Sequence, residues 1–133
     1  MGNGSMGRIL VVDDEADVCQ LMVKLLKRLG HEAFCAYSGR EALAAVQDGK
    51  NPDLILLDVM MPEMSGMEVL KRLREGEVRV PVIIFTALSD PQLRQQALEL
   101  GASEYWVKAS MDIHEIMSRL RTYLPAGPAG GSA

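Results

Sequence analysis

Short apolar runs and longer amphipathic stretches alternate along this chain. Ile9 to Val12, Leu54 to Leu57 and Val82 to Phe85 are unbroken apolar runs, the pattern of central strands covered on both faces. Ala33 to Tyr37 and Tyr105 to Val107 are mixed in character, which predicts strands nearer the sheet edges. The intervening segments read as helices. Val18, Leu21, Met22, Leu25 and Leu29 recur at helical intervals after an acidic start, and Gly30 can close that helix. Ser38 with Glu41 and Ser65 with Glu68 have capping-box spacing. Asp90 followed by Pro91 is a cap with proline at the first helical position, and Gly101 ends the same segment. Ile113, Ile116, Met117 and Leu120 mark a last helix, for which Ser110 is the expected cap. Five strands and five helices in strict alternation predict βαβ units, a parallel sheet and an α/β fold.

Residues 1–6 carry two methionines around a Gly/Ser stretch, as an expression remnant would, and residues 125–133 are rich in Pro and Gly without periodicity. The folded unit is therefore expected at 7–124, followed by a flexible tail or the start of a linker. With 48% hydrophobic residues among 133, the chain can fill one core. Its apolar runs are far shorter than the ~20 residues that cross a bilayer, so an intracellular, cytoplasmic protein without a membrane partner is expected. A net charge of −4 and a pI near 5.2 argue against nucleic acid as a direct partner. Lys24, Lys27, Arg28, Lys71, Arg72 and Arg74 are mixed with apolar positions, as on ordinary solvated helix faces. Cys19 and Cys35 belong to no motif with metal-ligand spacing and read as two buried structural thiols.

The candidate chemistry lies immediately after the apolar runs. Asp13 and Asp14 follow the first, Asp58 the third, Thr86 the fourth and Lys108 the fifth. In a parallel sheet the carboxyl ends of the strands share one rim, where open α/β sheets place ligand sites. Three crowded carboxylates repel one another unless a cation or a shared proton intervenes. The side chains of this motif offer only oxygen ligands, which favours a hard ion such as Mg2+ or Mn2+. Lys108 adds a positive charge and Thr86 a hydroxyl, so the set suits an oxygen-rich anion such as a phosphoryl group.

Four stretches carry a family resemblance: Ile9-Leu-Val-Val-Asp13-Asp14-Glu15, Leu54-Ile-Leu-Leu-Asp58-Val-Met-Met-Pro62-Glu-Met-Ser-Gly66, Val82-Ile-Ile-Phe-Thr86-Ala87, and Gly101-Ala-Ser-Glu-Tyr105-Trp-Val-Lys108. The sequence resembles the response-regulator receiver domains of two-component signalling over the whole unit from Arg8 to Leu124. The resemblance implies a flavodoxin-like, doubly wound sheet of five parallel strands in order 2-1-3-4-5 with five helices. It implies a phosphorylation-dependent switch rather than an enzyme with a separate substrate, although such a switch assists its own phosphorylation and dephosphorylation. It also implies that Asp58 is the phosphoacceptor and that Asp14 and Asp58 ligate Mg2+. Asp13 would act through a bound water, and the Met60 backbone carbonyl would be a further ligand. Lys108 and Thr86 would contact the phosphoryl group. The donor would be a histidine kinase or a histidine phosphotransfer protein. Thr86 and Tyr105 would form the switch, acting on the face of the fourth helix, fifth strand and fifth helix that meets an output domain or partner protein. Homodimerisation is left open.

This chain departs from the family pattern at Ala109, where proline usually follows the lysine, often after a cis bond. A cis bond before alanine costs about 3 kcal/mol or more, so a trans bond with an altered loop is predicted. Met60 and Leu88 border the site in the family and modulate the hydrolytic water; both are apolar here, which predicts a long-lived phosphoaspartate. A magnesium-dependent phosphohydrolase with an aspartyl-phosphate intermediate fits less well, because its nucleophile usually follows the first strand and its substrate needs a cap domain. A receiver-like interaction module that is never phosphorylated leaves the crowded carboxylates without a purpose.

Overall fold

The computed structural model describes residues 7–124, so the expected remnant at 1–6 and tail at 125–133 lie outside the described residues. In chain order the elements are β1 (Arg8–Val12), α1 (Ala16–Arg28), β2 (Glu32–Ala36), α2 (Gly39–Gln47), β3 (Leu54–Leu57), α3 (Gly66–Glu75), β4 (Val82–Thr86), α4 (Pro91–Glu99), β5 (Glu104–Val107) and α5 (Ile113–Leu120). A short 3-10 turn at Lys108–Ser110 joins the last two. All strand pairs are parallel, in the order β2-β1-β3-β4-β5, the flavodoxin-like arrangement. The mixed segments are indeed the edges, and the three unbroken apolar runs fill the centre.

Alternation along each central strand divides the core in two. Leu10, Val12, Ile55, Leu57 and Ile84 face Ala42, Val69, Leu70, Leu73 and Ala97 of α2, α3 and α4. Ile9, Val11, Leu54, Leu56 and Ile83 face Cys19, Met22, Leu26, Ile116 and Leu120 of α1 and α5. Both faces are covered, which is why the runs Ile9 to Val12, Leu54 to Leu57 and Val82 to Phe85 are unbroken apolar stretches, with Arg8 and Thr86 only at strand ends.

The buried row of α1 is not the one its sequence periodicity emphasises. Cys19, Met22 and Leu26 face the sheet, Val18 and Leu25 are half-buried, and Leu21 and Leu29 are 59% and 41% exposed. The buried row runs through Cys19, one position and about 100° round the helix from Val18, and shares only Met22 with the predicted set; it packs on the sheet in one cluster with Ile9, Val11 and Ala33.

The end signals were partly transferable. Ser38 and Ser65 accept from the N–H groups of Glu41 and Glu68, but neither glutamate closes a full box. Glu41 instead accepts from the Tyr37 N–H at 2.8 Å, and Glu68 pairs with Arg72. Gly30 and Gly101 have φ of 96° and 104°, the left-handed conformation that ends a helix without steric cost. The expected cap Ser110 is corrected to Asp112, whose carboxylate accepts from the Glu115 N–H at 2.9 Å. The 3-10 turn uses up Ser110 before α5 begins.

Candidate functional site

Register brings the strand tips together. Val12 pairs with Ala36 and Leu57, so Asp13 leaves β1 beside Asp58 leaving β3. Backbone bonds fix both exits: the Asp13 N–H donates to the Ala36 carbonyl and the Asp58 N–H to the Val12 carbonyl. Asp13, Asp14 and Asp58 each offer an oxygen within 4.8 Å of the others. Asp13 and Asp58 are only 3% and 7% exposed, whereas Asp14 faces solvent. Asp14 is not a helix cap. Glu15 holds the cap position of α1 without a side-chain bond, and Asp13 accepts from the Glu15 N–H at 2.9 Å.

Lys108 reaches this cluster from the tip of β5. Its ammonium donates to Asp13 Oδ2 at 2.8 Å and stands 3.6 Å from Asp58 Oδ2. The aliphatic stem brings that ammonium to 5.7 Å from the Phe85 ring centroid, a cation-π contact that sequence reasoning missed. The Lys108–Ala109 peptide is trans, like every peptide bond among the described residues, and the residues after Lys108 form the short turn. Thr86 is fully buried at the end of β4, and its hydroxyl accepts from the Leu88 N–H at 3.3 Å. Tyr105 is turned inward, with its hydroxyl donating to the Leu88 carbonyl at 2.7 Å. Met60, 56% exposed, donates its N–H to Asp58 Oδ1 at 3.3 Å.

These surroundings perturb both signs of charge. Burial pushes the Asp58 carboxyl above the usual carboxylate range; Lys108 opposes this, Asp13 reinforces it, and the Met60 N–H and Thr86 hydroxyl oppose it more weakly. Burial also pulls on the Lys108 ammonium, but the hydrogen bond to Asp13 and the charges of Asp58 and Asp13 outweigh it and raise Lys108 overall. Lys108 is thus firmly ionised but mainly committed to Asp13, leaving Asp58 under-compensated.

Gly66 explains part of the local geometry. A Cβ there would lie 2.1 Å from the Asp58 carbonyl oxygen, and the Gly66 N–H donates to the Val59 carbonyl at 2.9 Å. Only glycine lets α3 begin directly against the phosphoacceptor candidate's backbone. The arrangement can hold a hard divalent cation on oxygen ligands and can place an anion between that cation and an ammonium. Among the described residues no helix is long and apolar enough to cross a membrane.

Comparison with known proteins gives the same fold and a family. Sporulation initiation phosphotransferase F of Bacillus subtilis is 37% identical over 118 residues, which cover 89% of this chain and 94% of that protein. The regulatory protein AtoC of Escherichia coli is 39% identical over 112 residues, and PhoP of Bacillus subtilis, a transcriptional regulatory protein for alkaline phosphatase synthesis, is 38% identical over 117. These cover 84% and 88% of this chain but only 24% and 48% of the two regulators, so the chain spans half or less of their length. Among solved structures, the chemotaxis protein CheY4 of Vibrio cholerae superimposes with a TM-score of 0.82 at 31% identity, covering 90% of this chain and all of that one (100%). The response regulator TrrA of Thermotoga maritima, solved in complex with Mg2+ and beryllofluoride, gives 0.79 at 36% identity with coverages of 90% and 100%. The model of the response regulator receiver domain matches residues 9–121. The shared rim, the strand order and this match over nearly the whole described unit lead to one assignment: the chain belongs to the response regulator receiver family, the phosphorylation-based signalling modules of two-component systems.

Proposed function

We propose that Asp58 accepts a phosphoryl group from a phosphohistidine on a sensor kinase or histidine phosphotransfer protein. The observation that carries this reading is the meeting of three carboxylates within 4.8 Å with the Lys108 ammonium 3.6 Å from Asp58. Phosphoryl transfer asks a protein mainly for alignment and charge neutralisation. A carboxylate oxygen of Asp58 forms the new bond to phosphorus as the bond to the donor imidazole nitrogen breaks, its electron pair returning to that nitrogen. Asp14 and Asp58 would hold Mg2+ directly, Asp13 through water, with the Met60 carbonyl as a further ligand; the all-oxygen donor set fits that ion. Mg2+ supplies charge neutralisation at the phosphoryl oxygens. Lys108 turns from Asp13 toward the transferred group, and the Thr86 hydroxyl donates to it.

Phosphorylation then biases a two-state element. Thr86 moving toward the phosphoryl oxygen favours the arrangement with Tyr105 buried and bonded to the Leu88 carbonyl, and alters the face of α4, β5 and α5. That face acts on an output domain or partner protein, consistent with the greater length of the matched transcriptional regulators. Met60 and Leu88 have no side-chain group to orient water, so the aspartyl phosphate is long-lived. Replacing Met60 with Asn shortens that lifetime; an unchanged lifetime refutes this part of the reading.

Incubating the chain with Mg2+ and acetyl phosphate tests the assignment. The expected result is a mass gain of one phosphoryl group that needs the metal, is slowed by Lys108→Ala and is absent in Asp58→Asn. No gain in the unaltered chain, or an undiminished gain in Asp58→Asn, overturns it.

A further inference from the structure

Cys19 and Cys35, the only cysteines of the chain, are not used by the site at the strand tips. They are 16 residues apart in sequence (35 − 19), yet they occupy one side of the sheet. Cys19 projects from the first turn of α1 and is fully buried, its Sγ donating to the Val11 carbonyl at 3.1 Å. Val11 pairs in register with Cys35 across the parallel ladder of β1 and β2. Both side chains belong to the cluster between the sheet and the α1 and α5 helices. The sulfur reaching over β1 therefore arrives beside the strand neighbour that bears the second sulfur. The expectation of two buried thiols holds for Cys19 alone, since Cys35 is partly exposed.

We propose that Cys19 and Cys35 form a thiol modification site, a dithiol that closes reversibly to an intramolecular disulfide when it meets a peroxide. Cys35 is the point of entry because it is the partly exposed member. Its thiolate attacks one peroxide oxygen, the O–O bond breaks, and hydroxide leaves, giving a sulfenic acid at Cys35. The Cys19 sulfur then displaces the sulfenic hydroxyl, which departs with the Cys19 proton as water. Two thiols are oxidised, one peroxide is reduced to water, and a small dithiol reverses the step by exchange. Burial holds Cys19 firmly as a thiol, reinforced by the neighbouring Cys35 and by the charge of Asp13, so Cys19 is protected from direct oxidation and acts second. Closing the bond takes the Cys19 sulfur off the Val11 carbonyl and ties the first turn of α1, just beyond Asp13 and Asp14, to β2.

The test uses the unaltered chain under native, non-reducing conditions with hydrogen peroxide, followed by acid quenching, thiol titration in denaturant and intact mass. The expected result is loss of both thiols together, a monomer lighter by two hydrogen atoms, and full recovery with dithiothreitol. In Cys35→Ser, Cys19 stays reduced at peroxide levels that oxidise the unaltered chain completely. In Cys19→Ala, Cys35 halts as a sulfenic acid that dimedone traps; if that variant fails to fold, Cys35→Ser and the unaltered chain still decide. Retention of the Cys19 thiol while Cys35 oxidises, or a disulfide only between two chains, overturns the proposal. Neither readout depends on phosphorylation, so this inference and the function of Asp58 fail separately.

Discussion

Replacing Asp58 with Asn tests the charge crowding at the rim. At an effective dielectric constant of about 20, the 3.6 Å contact with Lys108 corresponds to an attraction of roughly 5 kcal/mol. Each neighbouring carboxylate with an oxygen within 4.8 Å repels by roughly 3 kcal/mol on the same basis, with solvent screening exposed Asp14 more than buried Asp13. Burying the charge of Asp58 costs further, which is why its carboxyl is raised despite the nearby ammonium. The amide introduced by Asp58→Asn keeps an oxygen to accept from the Met60 N–H, and Lys108 keeps its 2.8 Å bond to Asp13. The net expectation is a gain on the order of 1 kcal/mol in metal-free buffer near neutral pH, about 3–8 °C in Tm for a unit of this size. Thermal unfolding with EDTA and then with excess Mg2+ measures it. Bound at about 100 times its Kd, the ion stabilises the unaltered chain by roughly 2.7 kcal/mol, and Asp58→Asn loses most of that increment. A metal-free Asp58→Asn chain less stable than the unaltered one would show that the ammonium dominates, and the crowding argument would be wrong.

The packing of α1 makes an opposed pair of predictions. Leu26→Ala loses about 2–5 kcal/mol because Leu26 is fully buried, whereas exposed Leu21→Gln changes stability by no more than about 0.5 kcal/mol, both read by urea denaturation. Gly66→Ala forces a Cβ to 2.1 Å from the Asp58 carbonyl oxygen, so the chain shifts or unfolds and phosphoryl acceptance falls; unimpaired stability and acceptance contradict the close approach. His31 is buried, its Nδ1 lacks a partner among the described residues, and burial followed by the charge of Arg121 lowers its pKa. A lowered histidine binds its proton less readily folded than unfolded, so its contribution to stability falls as pH drops through the unfolded value near about 6.5 toward the folded one. His31→Gln should flatten that part of a stability profile, and an unchanged profile excludes His31 as its source.

The sheet was legible because its central strands are buried on both faces, which leaves unbroken apolar runs such as Leu54 to Leu57 that few other settings produce. The rim was legible because parallel strands convert position in sequence, directly after an apolar run, into position in space. Parallel pairing by itself did not order the strands; order 2-1-3-4-5 came from the family resemblance and appears in the ladder pairings. Helix orientation was harder to read. In α1 two overlapping apolar rows compete, and only packing against the sheet decides for Cys19, Met22 and Leu26. Long-range side-chain partners were not legible either. Nothing local announces that Lys108 lies over Phe85, or that Glu104 gathers Trp106, Arg119 and Tyr123 onto one carboxylate. Those contacts depend on strand register and on the turn that Lys108 enters.

Locating the phosphoryl group on the chain tests the central claim most directly. After reaction with acetyl phosphate and Mg2+, borohydride reduction converts a phosphorylated aspartate to homoserine, and the tryptic peptide 51–71 contains Asp53, Asp58, Glu63 and Glu68 as alternative acceptors. The account predicts homoserine at position 58 alone. Homoserine at 53, or an unmodified 51–71 peptide from a chain that has gained a phosphoryl group, would contradict it.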